Sequence, residues 1–229
     1  MSNDAFYMCT SMTSFTVGSD SKYYSSVNGV LFDKDKTVLM KYPAMKAEKN
    51  YTVPSTVNEI PQSAFENCAY LEVLTLPAGL TSVDSTSFMA CGKLSKFSVP
   101  ETSTAYKEFN GVLFDHSMTV LVKYPQNMAQ SDYIIPATVT EISSLAFHGA
   151  AGLRSVTIPA GVADIGDGAF LGCTSLSTIT VDPDNTYFSG VDGVLYDVGM
   201  TELICYPANR SVTSYTVPET VRTIGNYAF

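Results

Sequence analysis

The sequence predicts a solenoid with a parallel β-sheet along one face, and two nested periods predict it. Val53, Leu76 and Val99 lie 23 residues apart, as do Ile135, Ile158 and Val181. Strides of 36 separate Val17 from Val53, Val99 from Ile135, and Val181 from Val217, so Val17, Val99 and Val181 fall on a superperiod of 82. Self-similarity at fixed spacing means units that bury their apolar faces only against neighbours. The whole chain, 1–229, reads as a single domain cut from a longer array, with 82-residue superrepeats and inserts near 18–50, 100–132 and 182–214.

Each element follows from one coil. In residues 71–93, Leu74 and Leu76 point inward from a short strand and Thr75 points outward. Pro77 ends the strand because it has no N–H to give a ladder, and Pro54, Pro100, Pro136, Pro159 and Pro218 fill the same place. Leu80 and Val83 follow a turn, and Phe88 belongs to a column running through Phe6, Phe65, Phe147, Phe170 and Phe229. Ser63-Ala64-Phe65-Glu66-Asn67-Cys68 predicts one helical turn, which would set Phe65 and Cys68 on one side at i and i+3. Strands plus helical turns make the predicted class α/β. Within the inserts, Asn28-Gly29, Asn110-Gly111 and Asp192-Gly193 are turn formers. The β-forming runs 30–33 and 37–42, around Lys34-Asp35-Lys36, predict a β-hairpin in every third coil.

The pattern Leu71-Glu72-Val73-Leu74-Thr75-Leu76-Pro77, repeated as Leu153-Arg154-Ser155-Val156-Thr157-Ile158-Pro159, together with Ala-Phe-x-x-Cys, resembles the leucine-rich repeat of BspA-like surface proteins. The resemblance covers essentially the whole chain. Local departures are Ala150 for Cys, Asp182 for Pro, and Gly18 after Val17. It implies a leucine-rich repeat solenoid from a bacterial cell-surface or secreted protein. The implied function is non-catalytic protein binding, in particular adhesion to host matrix or other cells; the alternative is a spacer or stalk presenting another domain.

Composition narrows the partners. A formal net charge of -9 argues against nucleic acid and anionic membranes, and no apolar run of membrane-spanning length occurs. No signal peptide opens this fragment. The partner expected is an extracellular or surface protein. Asp4-Ala5-Phe6 and Tyr227-Ala228-Phe229 occupy equivalent slots without polar caps, which adds end-to-end self-association as an expectation.

Cys9, Cys68, Cys91 and Cys173 sit eight residues before column residues, in the slot of Ala150, and are expected as small buried thiols. Cys205 shares the slot of Lys41 and Lys123 and is expected to be exposed and the most reactive. No zinc-type Cys/His spacing occurs, and no cofactor is expected. Asp33-Lys34-Asp35 and Asp182-Pro183-Asp184-Asn185 supply carboxylates but read as polar turns. His116 and His148 fall in variable slots with no nucleophile beside them, so no catalytic residue is assigned. The insert aromatics, such as Tyr42, Tyr124 and Tyr206, read as filler between insert and coil.

The remaining candidate is a surface. Thr16, Thr52, Thr75, Ser98, Ile134, Thr157, Thr180 and Thr216 form one outward column, and Lys96 and Asp132 belong to a second two residues earlier. Stacked in parallel, eight such strands would make a ladder about 35–40 Å long. Threonine suits a solvated β-face in any case. The same ladder would suit an extended protein partner.

Overall fold

The coil sequence closes on itself through backbone hydrogen bonds to its neighbours, and the computed structural model shows this for residues 5–6 and 9–229. Asp4 lies outside the described residues. The chain divides into two compact units, 1–117 and 118–229. Each is a β-solenoid.

Unit 1 holds β1 (Tyr24–Val27), β2 (Val30–Asp33), β3 (Leu39–Lys41), β4 (Asn50–Thr52), β5 (Glu59–Ile60), β6 (Val73–Thr75), β7 (Ser82–Val83), β8 (Lys96–Ser98), β9 (Tyr106–Phe109) and β10 (Val112–Asp115). Strands β4, β6 and β8 form one parallel sheet, and β5 pairs with β7 in another. Unit 2 holds β11 (Val120–Lys123), β12 (Asp132–Ile134), β13 (Glu141–Ile142), β14 (Ser155–Ile158), β15 (Asp164–Ile165), β16 (Thr178–Val181), β17 (Phe188–Val191), β18 (Val194–Asp197), β19 (Glu202–Cys205) and β20 (Thr223–Ile224). Here β12, β14 and β16 are parallel, as are β11, β13 and β15.

After each strand the same tight turn recurs. The amide of Val57 donates to Pro54 O, Leu80 to Pro77 O, Val139 to Pro136 O and Val162 to Pro159 O, at 3.0–3.3 Å. Proline fits because its fixed φ suits the turn and the ladder needs no donor from it there.

The Ala-Phe-x-x-Cys segment is not helical in most coils. Among the described residues only Ser85–Phe88 forms a short 3-10 turn, capped by Asp84, whose side chain accepts from the Thr86 amide. Elsewhere the backbone turns through left-handed residues, with φ of 59° at Ser63, 64° at Asn67 and 56° at Leu145. The physical reason lies in where the amides go. Phe65 N donates to Ser87 O and Asn67 N to Met89 O, both at 2.9 Å, while Phe147 N donates to Ala169 O at 2.8 Å. A helix would spend those donors within its own segment; here they pair adjacent coils, and the predicted i, i+3 approach of Phe and Cys is met by turns instead.

The inserts are larger than hairpins. The pairs β1–β2 and β2–β3 are both antiparallel, so each full insert is a three-stranded meander, repeated as β17–β18–β19. The added strand precedes the Asn-Gly or Asp-Gly turn, where φ is 50° at Asn28 and 81° at Gly29. A side chain at Gly29 would also strike Ser14 Cβ at 2.9 Å. Glycine is required there by both conformation and space.

Aromatic rings fill the core. Phe65 stacks on Phe88 at 5.7 Å and on Tyr42 at 5.3 Å, and Phe147 stacks on Phe170 at 5.2 Å with Tyr124 at 5.1 Å. Tyr42 and Tyr124 stand 23 residues before Phe65 and Phe147, so the insert tyrosines continue the phenylalanine column. One buried asparagine pins the last insert. Asn185 Nδ2 donates to Pro159 O and Val162 O, and its Oδ1 accepts from the Tyr187 and Phe188 amides, all at 2.8–2.9 Å.

Candidate functional site

The outward face of each three-stranded sheet is where the predicted binding residues gather. In unit 1, Asn50, Val73 and Lys96 lie in register across β4, β6 and β8, and Thr52, Thr75 and Ser98 form the row beside them. Between the rows, Tyr51, Leu74 and Phe97 turn inward and are buried. Strand alternation produces this arrangement, since successive side chains leave opposite faces. In unit 2 the rows are Asp132, Ser155, Thr178 and Ile134, Thr157, Thr180, over buried Tyr133, Val156 and Ile179. Each row spans about 10 Å at the usual strand spacing.

Thr16 and Thr216 do not join these sheets; both lie outside any strand. The eight-strand ladder is therefore replaced, among the described residues, by two three-stranded faces. The insert turn explains the break. Phe97 N in β8 donates to Gly111 O, and Ile179 N in β16 donates to Gly193 O, each at 3.0 Å. The turn of the insert takes the amide that a next strand would have used. The signal was present in the thirteen extra residues that follow the third strand of each triplet.

Unit 2 carries the more distinctive face. Ile134 is 73% exposed in a row otherwise made of hydroxyls. Beside it, the Asp132 carboxylate accepts from Ser155 Oγ at 2.6 Å and from Ser131 Oγ at 2.7 Å. Those two bonds, Ser155 first, hold the Asp132 carboxyl below its ordinary range, with Arg154 nearby adding to the effect. At the rim of the unit 1 face, Lys49 pairs with Glu72 at 2.9 Å.

The reactive groups sit elsewhere. Cys68, Cys91 and Cys173 are buried free thiols, and Cys91 Sγ donates to Phe65 O at 2.9 Å while Cys173 Sγ donates to Phe147 O at 3.1 Å. The thiol thus caps a carbonyl of the preceding coil. Burial pushes the Cys173 thiol up to about 12 and the Cys68 thiol well above its ordinary value. Cys9, expected in that buried column, is exposed.

Cys205 departs from expectation in the opposite sense. It is buried, and burial pushes its thiol up to about 12, so it stays protonated and poorly nucleophilic. Its slot is buried in every superrepeat. Lys41 and Lys123 are 6% and 0% exposed, and their ammonium groups donate to Ser63 O at 2.7 Å and Leu145 O at 2.5 Å. Lys41 also faces Glu66 at 3.7 Å. The spacing contained this: Lys41, Lys123 and Cys205 stand 23 residues before Ala64, Ala146 and Ala228, a buried column.

His116 is exposed on the insert. His148 is half-buried with Nδ1 3.4 Å from Gln126 Nε2, and burial, aided by the Lys123 charge, lowers its pKa. Asp33 accepts from the Val38 amide and the Thr37 hydroxyl, both at 2.8 Å, and Asp182 accepts from the Asp184 amide at 2.9 Å. Both carboxylates are thus engaged in closing turns. Among the described residues, no three His, Cys, Asp or Glu side chains come together as a metal site would require. No helix there is long and apolar enough to cross a membrane.

Comparison with known proteins agrees with the repeat geometry. Residues 44–132 and 124–190 match the family described as the BspA type leucine rich repeat region, in six copies, covering more than half of the chain. The chain belongs to that family. Comparison with curated proteins gives no match. Among solved structures, the BspA-type chain is similar to the pneumococcal vaccine antigen PcpA, at 24% identity and a TM-score of 0.41, over 91% of this chain and 44% of that one. It is also similar to a leucine rich cell surface protein from Faecalibacterium prausnitzii, at 24% identity and a TM-score of 0.47, over 93% of this chain and 69% of that one. A leucine-rich repeat protein from T. pallidum matches at 16% identity and a TM-score of 0.38, over 89% of this chain and 78% of that one. The chain thus spans less than half of the pneumococcal antigen's length.

Proposed function

We propose that this BspA-type repeat segment is a non-catalytic module of a bacterial cell-surface or secreted protein, and that it binds an extracellular protein through the outward sheet faces. The observation that carries the reading is the unit 2 face. Ile134 stands there as an exposed apolar anchor, flanked in register by Thr157 and Thr180 and bordered by the Asp132–Ser155 pair. Rigid sheet backbone fixes these groups, so docking costs little ordering entropy. Apolar anchors ringed by polar groups are the usual centre of protein interfaces. The adhesion role is what the resemblance to BspA-like surface proteins implies, the repeat family to which the chain belongs.

The test is binding of the full chain to immobilised purified host matrix proteins. Saturable binding to at least one of them is expected, weakened at least tenfold by Ile134→Lys and unaffected by Thr174→Lys, a change of equal charge at an exposed turn residue. Absence of binding across the matrix panel would remove the adhesion reading.

A further inference from the structure

The Cys205 slot leaves something unfilled. In the other two superrepeats, the residue at this slot is a lysine whose stem crosses the space in front of the next coil and whose ammonium ends on the carbonyl of a left-handed residue, Ser63 or Leu145. The corresponding acceptor in the third superrepeat is Tyr227, which is left-handed too, with φ of 59°. A cysteine reaches only as far as its Sγ. Where a lysine stem would run, unit 2 has a cavity of about 170 Å³, lined by both Cys205 and Tyr227. Its mouth opens between the exposed residues Asp164, Asp167 and Asn226.

Charge changes in the same place and in a complementary sense. Asp164, Asp167 and Glu202 line the cavity, and no Lys, Arg or His does. One superperiod earlier, the residues in those slots are Ser82, Ser85 and Val120, all uncharged. The slots in question therefore lose one positive charge at Lys123→Cys205 and gain three carboxylates. Asn226 Nδ2 donates to Asp167 Oδ2 at 3.1 Å and holds one of them at the rim. Phe188 adds an apolar wall. It replaces the tyrosine of the preceding superrepeat, Tyr106, whose hydroxyl accepts from the Val83 amide at 2.9 Å. The equivalent position beside Phe188 is Ile165, also in the cavity wall, where a phenyl ring offers no acceptor.

We propose that this cavity binds a primary alkylammonium group, which takes the place of the missing lysine side chain. Its alkyl part would lie against Phe188 and Cys205, and its three N–H donors would meet the Tyr227 carbonyl and the carboxylates. An ammonium on a flexible stem suits such a site because it is a compact point charge with rotatable donors. Bonds between it and carboxylates are the strong, charge-assisted kind. The cavity is large enough for a short alkyl chain and a water or two.

Two sources carry this chemistry, a free small amine and a lysine side chain of a partner protein, and one experiment separates them. The full chain is titrated by calorimetry with n-butylammonium chloride and, separately, with N-acetyl-lysine methylamide. Sodium chloride at matched ionic strength and 1-butanol serve as controls. Saturable binding of either ammonium, but not of 1-butanol, is expected, and Glu202→Gln should weaken it about tenfold. Tighter binding of the lysine amide assigns the site to a protein lysine; binding of butylammonium alone assigns it to a small amine. Cys205→Lys should fill the cavity from within, raise the thermal midpoint without ligand and abolish ammonium binding. Should that variant not fold, Cys205→Ala serves instead, since it keeps the cavity and carboxylates and should still bind. No saturable binding of either ammonium, equal binding of 1-butanol, or indifference to Glu202→Gln would each overturn the proposal.

Discussion

Replacing Phe147 by alanine should be among the most destabilising single changes in unit 2. The ring is fully buried and packs against three others, Tyr124 at 5.1 Å, Phe170 at 5.2 Å and Tyr133 at 6.0 Å. Truncating a buried phenylalanine costs about 3–5 kcal/mol, because the cavity left behind only partly collapses. In a chain of this length each kcal/mol lowers the thermal midpoint by about 2–4 °C, so a fall of roughly 6–20 °C is expected. Phe229 occupies the same slot 82 residues later and stacks on Tyr206 at 5.2 Å, but it is 63% exposed. Phe229→Ala should therefore cost no more than about 1 kcal/mol, near the value of one ring pair. The assay is thermal unfolding followed by near-ultraviolet circular dichroism, which reads tyrosine packing directly. Equal costs at the two positions would refute the view that stability comes from rings clamped between neighbouring coils.

Three further outcomes follow from polar groups. Asn185→Ala removes four hydrogen bonds that tie the insert to the preceding turn, and should cost about 2–4 kcal/mol in chemical denaturation. Tyr133→Phe should be neutral or slightly stabilising in the same assay, since the Tyr133 hydroxyl is buried without a hydrogen-bond partner. Ser155→Ala should raise the Asp132 pKa toward that of an ordinary aspartate, read by NMR titration, because the Ser155 hydroxyl is the first cause of its depression. The sign for stability follows: a carboxylate with a folded pKa below its unfolded value helps above the unfolded pKa and loses that help as pH falls through the folded one. Ser155→Ala should accordingly narrow the acid-side difference between folded and unfolded chains.

The stacking columns were legible because periodicity reports burial directly. Val53, Leu76, Ile135 and Ile158 recur at 23 residues, and all four are buried. The candidate faces were legible for the same reason, as alternation places Thr75 opposite Leu74. What periodicity does not report is which partner a backbone amide chooses. The spacing of Phe65 and Cys68 fits a helical turn and a pair of left-handed turns equally, and only the bond from Phe65 N to Ser87 O decides between them. The thirteen extra residues marked where the ladder is interrupted, but spacing alone does not report that the Gly111 and Gly193 carbonyls inside the inserts take the strand amides. The misplacement of Cys205 had a different origin. Lysine at two of three equivalent positions reads as surface by residue type, yet the 23-residue step to Ala64 and Ala146 marks the slot as core. A long stem with a backbone acceptor at its end lets the ammonium meet a partner inside.

The docking claim for the unit 2 face is tested most directly at Ile134. A photo-crosslinking residue placed at Ile134, and for comparison at Thr174, in the full chain bound to an immobilised matrix protein reports which face touches the partner. Crosslinks from position 134 and none from position 174 are predicted. Crosslinks from position 174 alone, with position 134 silent in a complex that still forms, would contradict the account.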